Sequence, residues 1–120
     1  MTEFNINVFS EDAQFCSALA IECDKYGFEL TFFEEKDIDA LIRNKQFSVV
    51  LVDLTLDKSK DPYELGKYIQ ASSNIPVFGL LDELIRKHQN KAKECGFDLV
   101  FTKSILLRSI KDIIIHITDK

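Results

Sequence analysis

The sequence contains only three cysteines among its 120 residues, and no two of them are spaced as Cys-x-x-Cys. Cys16 and Cys23 fall within one helical pattern, where both are expected on the buried side as small apolar residues. This odd count indicates neither a disulfide framework nor a zinc site. Such cysteine usage is typical of a reducing compartment, so we expect a cytoplasmic protein.

Long apolar runs and a net basic charge are missing as well. No segment approaches the roughly twenty apolar residues of a membrane-spanning helix. The chain starts with Met1, Thr2 and Glu3 rather than with basic residues and an apolar run, so no secretory signal is indicated. The net charge of −5 argues against a nucleic-acid partner, since phosphate binding needs a basic face. We therefore expect neither a membrane nor a nucleic acid as a direct partner.

The composition that remains is 46% hydrophobic and 29% charged, which is typical of a globular chain. The length is that of one domain with a core of its own. Since no internal repeat, low-complexity stretch or linker interrupts it, the sequence predicts a single domain over residues 1–120.

The apolar pattern alternates five times between short β-rich runs and longer segments with helical spacing. Strands are predicted over residues 4–9, 28–33, 47–54, 75–81 and 98–102. Helices are predicted over residues 12–26, 34–45 and 82–95, and two more are predicted to begin at about residues 62 and 104. The third strand has an unbroken apolar run at residues 49–52, which is typical of a strand covered on both faces. This alternation predicts an α/β fold with a parallel sheet that has helices on both faces, and we expect the order 2-1-3-4-5 of a five-stranded doubly wound sheet.

Several residues predict where the helices begin and end. Gly27 and Gly96 are expected just after helices, Pro62 at a first helical position, and Ser104 as the cap of the last helix. The loop over residues 57–61 is polar. The last helix carries three consecutive isoleucines, at positions 113–115, which cannot all face one side. The excess predicts either a homodimer face or a helix wedged between the sheet and its neighbour.

Acidic residues follow the first and third predicted strands. In an open parallel sheet, ligands lie beyond the carboxyl ends of the strands, where the strand order reverses. Here those ends are the segment Ser10-Glu11-Asp12 and Asp53, and Lys103 follows the fifth strand. Carboxylates gathered this closely repel one another, and Mg²⁺ would compensate for that repulsion. The set predicts a site where a carboxylate can accept a phosphoryl group as an aspartyl phosphate.

The order and spacing of Glu11, Asp53 and Lys103, with Gly27 and Gly96 as helix stops, resemble the receiver domain of two-component response regulators over essentially the whole chain. The resemblance implies a receiver fold, a flavodoxin-like sheet, and a signalling function without enzyme activity. It implies that Asp53 is the phosphoacceptor and that Lys103 contacts the phosphoryl group. The Mg²⁺ ligands it implies are Glu11, Asp53, the backbone carbonyl of Thr55, and Asp12 if its side chain turns inward.

The sequence departs from the receiver pattern at four positions. Ser10 replaces the first acid of the metal-binding pair, which weakens the expected Mg²⁺ site. Leu81 stands where the family has a threonine or serine that bonds the phosphoryl group, and Val100 where it has a switching aromatic residue. Lys103 is followed by Ser104 rather than by proline. An allosteric change needs an element with two states, so we expect an atypical receiver whose phosphorylation is weakly coupled to its output.

Alternative interpretations remain open for the same residues. Asp53 could be a loop or capping residue, and Asp12 suits a helix cap as well as a metal ligand. A phosphorylation-independent pseudo-receiver is the main alternative function. A flavodoxin-type ligand binder is less favoured, because the loop after the first strand is acidic rather than rich in Gly, Ser or Thr. The expected partners are a sensor histidine kinase or another signalling protein, and a second copy of the chain.

Overall fold

The computed structural model describes residues 4–43, 48–55 and 61–118. Within these residues, a parallel sheet of order β2-β1-β3-β4-β5 is formed by Asn5–Phe9 (β1), Glu29–Phe32 (β2), Ser48–Asp53 (β3), Val77–Leu81 (β4) and Leu99–Thr102 (β5). The helices are Ala13–Tyr26 (α1), Ile38–Arg43 (α2), Pro62–Ser72 (α3), Arg86–Glu94 (α4) and Lys103–Thr118 (α5), with a 3-10 turn at Glu35–Asp37 before α2. The predicted fold class and strand order are confirmed.

Two hydrophobic clusters cover the two faces of the sheet. Val49 and Leu51 of β3 belong to the first cluster, together with apolar side chains of α1 and α5. Val50 and Val52 belong to the second, together with side chains of α2, α3 and α4. Successive residues of a strand point to opposite faces, so β3 is buried on both sides, as its unbroken apolar run predicts.

The helix ends follow the predicted residues closely. Asp12 is the N-cap of α1, and its carboxylate accepts a hydrogen bond from the Phe15 amide at 3.1 Å, so the helix begins one residue later than predicted. Gly27 ends α1 with a φ of 74°, a left-handed conformation that costs glycine little. Gly96 also has a positive φ, 88°, just after α4. Pro62 is the first residue of α3, as predicted.

The prediction that Ser104 caps the last helix is wrong. Helix α5 begins at Lys103, directly after β5. The side chain of Thr102, the last residue of that strand, accepts a hydrogen bond from the Ile105 amide at 3.2 Å. Because no loop separates strand from helix, the capping oxygen has to come from the strand itself.

Helix α4 is shorter than the predicted segment 82–95. Residues 82–85 follow β4 without helical structure, and Ile85 has an extended backbone whose carbonyl accepts the first hydrogen bonds of the helix. The side chain of Asp82 lies 3.3 Å from the ammonium of Lys103 at the end of the sheet. The segment therefore starts at the sheet edge, and the helix begins at Arg86.

The other boundaries differ by small amounts. The predicted helix 34–45 is a 3-10 turn followed by α2, and its last two predicted residues lie outside the described ranges. The predicted loop 57–61 also lies outside them, except for Asp61, whose side chain accepts from the Tyr63 amide and caps α3. Strand β5 begins after Asp98, which instead bonds the Val77 amide through its carboxylate at 2.8 Å.

The three consecutive isoleucines of α5 do not share one environment. Ile114 is buried, Ile113 packs against the first cluster, and Ile115 is 48% exposed. The expectation that they cannot all be buried is confirmed, whereas a homodimer face stays a prediction. Across the described ranges, no helix combines the length and apolar character needed to cross a membrane.

The close approach of α3 to the loop before β5 depends on Gly66. A Cβ atom built on Gly66 would overlap the ring of Phe97, which also packs edge-on against Tyr63. Phe97 is 6% exposed and belongs to the second cluster. The absence of a side chain at this helical position therefore lets the phenyl ring lie directly against the helix.

We expect Gly66→Ala to destabilise the protein although alanine is the better helix former. The helix propensity gain is about 1 kcal/mol, whereas overpacking a buried contact costs about 1–3 kcal/mol. Urea unfolding should show a lower midpoint for the variant. Lys67→Ala, at the exposed neighbouring position, should change stability by less than about 0.5 kcal/mol. A Gly66→Ala variant more stable than the parent would contradict this packing.

Candidate functional site

The strand register brings the predicted site residues to one edge of the sheet. Phe9 pairs with Val52, so the next residues, Ser10 and Asp53, lie side by side. Leu81 pairs with Thr102, so the residues that follow them, Asp82 and Lys103, also leave neighbouring strands at the same level. Because all strands are parallel, these four residues leave the sheet at the same end, and they form a polar pocket there.

Asp53 is fully buried, and both of its carboxylate oxygens accept hydrogen bonds. Oδ1 accepts from the amide and the hydroxyl of Thr55, at 2.9 and 2.5 Å. Oδ2 accepts from the Ser10 hydroxyl at 2.6 Å and lies 3.1 Å from the Lys103 Nζ. A buried carboxylate is costly unless it is paired and hydrogen-bonded, and here both requirements are met.

Lys103 is the cation around which the pocket is arranged. Its Nζ lies 3.0 Å from Asp12 Oδ2, 3.1 Å from Asp53 Oδ2 and 3.3 Å from Asp82 Oδ1. It also donates to the Thr55 hydroxyl at 3.1 Å. Burial alone would lower the pKa of Lys103, but the hydrogen bonds to Asp12 and Asp53 and the carboxylate charges raise it above its ordinary value. The lysine therefore stays protonated at neutral pH.

Asp12 performs two tasks with its two oxygens. One oxygen caps α1, and the other binds Lys103. The hydrogen bond from the Phe15 amide, followed by the one from Lys103, lowers the pKa of Asp12 below its ordinary value. The capping role considered from the sequence is thus confirmed, and the inward-facing oxygen meets a lysine.

The donor set does not fit a metal ion in this arrangement. Within residues 4–43, 48–55 and 61–118, no group of three or more acidic, histidine or cysteine side chains is arranged to hold a metal ion. Asp53 already accepts four contacts, Asp12 is held by Lys103, and Glu11 is exposed on the turn between β1 and α1. The ligand set of Glu11, Asp12, Asp53 and the Thr55 carbonyl stays a prediction, and Asp12 and Asp53 would have to give up contacts with Lys103 to hold Mg²⁺.

The two positions where the sequence departs from a receiver switch are filled by apolar packing. Leu81 is 4% exposed and belongs to the second cluster, and Val100 packs against the same cluster. Neither side chain offers a hydroxyl or an aromatic ring that could follow a change at Asp53.

Three pocket contacts are not evident from the sequence pattern. Ser10, which stands in place of an acid, donates to Asp53, and Asp82 joins the ion pairs of Lys103. Cys16 lies near enough to interact with Ser10, and burial raises the pKa of its thiol. Ser10 and Asp82, the polar residues directly after β1 and β4, are the sequence signal for the first two contacts. Their significance depends on the strand register.

Comparison with known proteins supports the fold and adds little at the level of sequence. No family model and no curated protein matches the chain. A two-component response regulator from Clostridium difficile superposes with a TM-score of 0.83 at 18% identity, covering 98% of each chain. The receiver domain of the TMAO respiratory response regulator TorR gives 0.81 at 15% identity over 96% of each chain.

A further solved structure is similar over the same extent. It is the receiver domain of the sensor histidine kinase PA1611 from Pseudomonas aeruginosa, with a TM-score of 0.78 at 13% identity over 97% of each chain. That structure holds a magnesium ion coordinated in its active site cleft. At these identities the likeness establishes the fold: this chain has the fold of response-regulator receiver domains.

We expect Asp12→Asn to lower the pKa of Lys103 while leaving α1 capped. Asparagine still accepts from the Phe15 amide, but the lysine loses a carboxylate that favours its charged form. An NMR titration of the Lys103 side chain would measure the shift. Asp112→Asn, an exposed change on α5, is the control and should leave that pKa unaltered. An unchanged pKa in Asp12→Asn would show that the ion pair does not persist in solution.

Proposed function

We propose that this chain is a receiver-type signalling domain in which Asp53 accepts a phosphoryl group. The observation that carries the proposal is the contact of Asp53 with Lys103 at the sheet edge where the strand order reverses. A carboxylate in this position is oriented by fixed donors, and a lysine lies beside the point where negative charge would be added. The receiver fold agrees with this assignment.

The chemistry requires one oxygen of Asp53 to attack phosphorus. A bond forms between that oxygen and the phosphoryl group, and the bond from phosphorus to the donor's leaving group breaks, giving an acyl phosphate. Lys103 can donate to the new phosphoryl oxygens, as can the hydroxyls of Ser10 and Thr55. The phosphoryl donor we propose is a sensor histidine kinase.

The structural effect of phosphorylation at Asp53 would reach the protein surface through Asp82 rather than through Leu81. Phosphoryl oxygens added at Asp53 compete with Asp82 for the ammonium of Lys103. Asp82 is 69% exposed in its side chain and begins the segment 82–85, so release of its ion pair would free that segment. The coupling is weak, because a largely exposed ion pair contributes only about 0–1 kcal/mol.

A phosphorylation-independent interaction module is the second candidate. It is favoured by the complete burial of Asp53 and by the four contacts that its oxygens already accept. In that case the ion pairs would serve to hold the strand ends together, and partners would bind the domain in one state.

Incubation with acetyl phosphate, with and without Mg²⁺, separates the two candidates. We expect intact-mass analysis to show one added phosphoryl group that is lost in Asp53→Asn. Asp112→Asn, which removes an exposed carboxylate from α5, should be phosphorylated like the parent. Absence of the adduct in the parent under both conditions would contradict the phosphoacceptor role and leave the interaction module.

The proposed route through Asp82 can be followed by amide hydrogen exchange. Phosphorylation is expected to raise exchange in residues 83–85 by a few-fold, because Lys103 turns from Asp82 to the phosphoryl group. In Asp82→Asn the segment should exchange faster already, with no further rise on phosphorylation. An equal rise in both proteins would show that the signal takes another path.

A further inference from the structure

An open groove lies between the 3-10 turn with α2 on one side and α3 on the other. Its volume is about 550 Å³. The lining consists of apolar and acidic side chains: Phe9, Glu35, Ile38, Asp39, Asp61, Glu64, Leu65 and Tyr68. None of them is among the residues that bind Asp53 or Lys103 in the polar pocket, so the groove is a separate feature of the described surface.

The floor of the groove is apolar. Ile38 and Leu65 are 5% and 8% exposed and belong to the second cluster, and Phe9 packs against it. Tyr68 is 49% exposed, and its hydroxyl donates to Asp39 at 2.9 Å, which links α3 to α2 beside the groove. An apolar side chain placed here would rest on a floor that the core holds in position.

The rim of the groove carries negative charge. Among the described residues, four of the eight that line the groove are carboxylates and none is basic. A cation on α4, Lys91, approaches Asp61 at 3.9 Å, with both side chains about half exposed. Such a rim repels phosphate groups and attracts cationic ones, so the groove fits a segment that combines apolar and basic side chains.

The chain itself presents a segment of this kind at the start of α4. Leu84 and Ile85 are 49% and 46% exposed, and the next two residues, Arg86 and Lys87, are exposed as well. The first turn of α4 contains no acidic residue. Basic side chains at a helix N-terminus oppose the helix dipole, so this pair does not serve the stability of α4.

We propose that the groove binds residues 84–87 of a second copy of this chain. The two apolar side chains would lie on the floor, and Arg86 and Lys87 would reach the rim carboxylates of the partner. Because groove and segment are different surfaces, the contact is head-to-tail and leaves a free groove at one end and a free segment at the other. Neither Asp53 nor Lys103 is part of the contact, which rests on the groove and on residues 84–87 alone.

Charge reversal tests both sides of the contact. Light scattering at increasing protein concentration should show reversible association of the parent that weakens with salt. Glu64→Lys in the groove and Lys87→Glu in the segment should each weaken association about tenfold, since each replaces an attraction by a repulsion. Both positions are exposed, so the folds should be retained, which circular dichroism would verify.

Mixing the two variants is the decisive measurement. In the mixture, the unaltered groove of Lys87→Glu can bind the unaltered segment of Glu64→Lys, and the lysine introduced into the other groove would face the introduced glutamate. We therefore expect association in the mixture and little in either variant alone.

Asp112→Lys adds the same charge as Glu64→Lys, but on exposed α5, and should associate like the parent. A parent that stays monomeric at all concentrations would overturn the proposal, as would a mixture that fails to associate. Loss on Lys87→Glu without loss on Glu64→Lys would indicate a symmetric α4 contact instead. The association is measured on the unphosphorylated parent, so failure here is distinguishable from failure of the phosphorylation proposal.

Discussion

The ion pair between Asp53 and Lys103 is the contact on which the rest of the pocket depends. Asp53 is completely removed from solvent at the end of the central strand, and an unpaired charge there would be strongly destabilising. Its partner is the first residue of α5, so the pair links β3 to the last helix of the fold. The hydroxyls of Ser10 and Thr55 then complete the hydrogen bonding of the carboxylate.

The ammonium group of Lys103 forms ion pairs with three carboxylates, which connects three parts of the fold at one point. Asp12 binds Lys103 with one oxygen while it caps α1 with the other, so the start of that helix is tied to the pocket. Asp82 is the least buried of the three and has the longest contact. Because exposure to solvent weakens an ion pair, the contact of Lys103 with Asp82 is expected to be the weakest of the three.

The two-sided burial of β3 and the stops at Gly27 and Gly96 could be predicted from the sequence, because they follow from local conformation and apolar periodicity. The strand order was predicted from the rules for doubly wound parallel sheets. The N-terminal end of α4 could not be predicted from the sequence. The residues before it, 82–85, leave the sheet edge where Asp82 contacts Lys103, and these two residues are twenty-one positions apart in the chain. The cap of α5 is Thr102 rather than the predicted Ser104 for a related reason. The sequence pattern does not show that β5 passes into the helix without a loop.

By itself, the sequence determined the fold class and brought Asp53, Asp12 and Lys103 to one edge of the sheet, since parallel strands leave a sheet at the same end. Only the tertiary structure decided how their charges are shared. Ser10 became a hydrogen-bond donor to Asp53, and the inward oxygen of Asp12 met an ammonium rather than a site ready for a metal ion among the described residues. Such choices depend on distances of about 3 Å between side chains from different strands, which no pattern along one chain can specify.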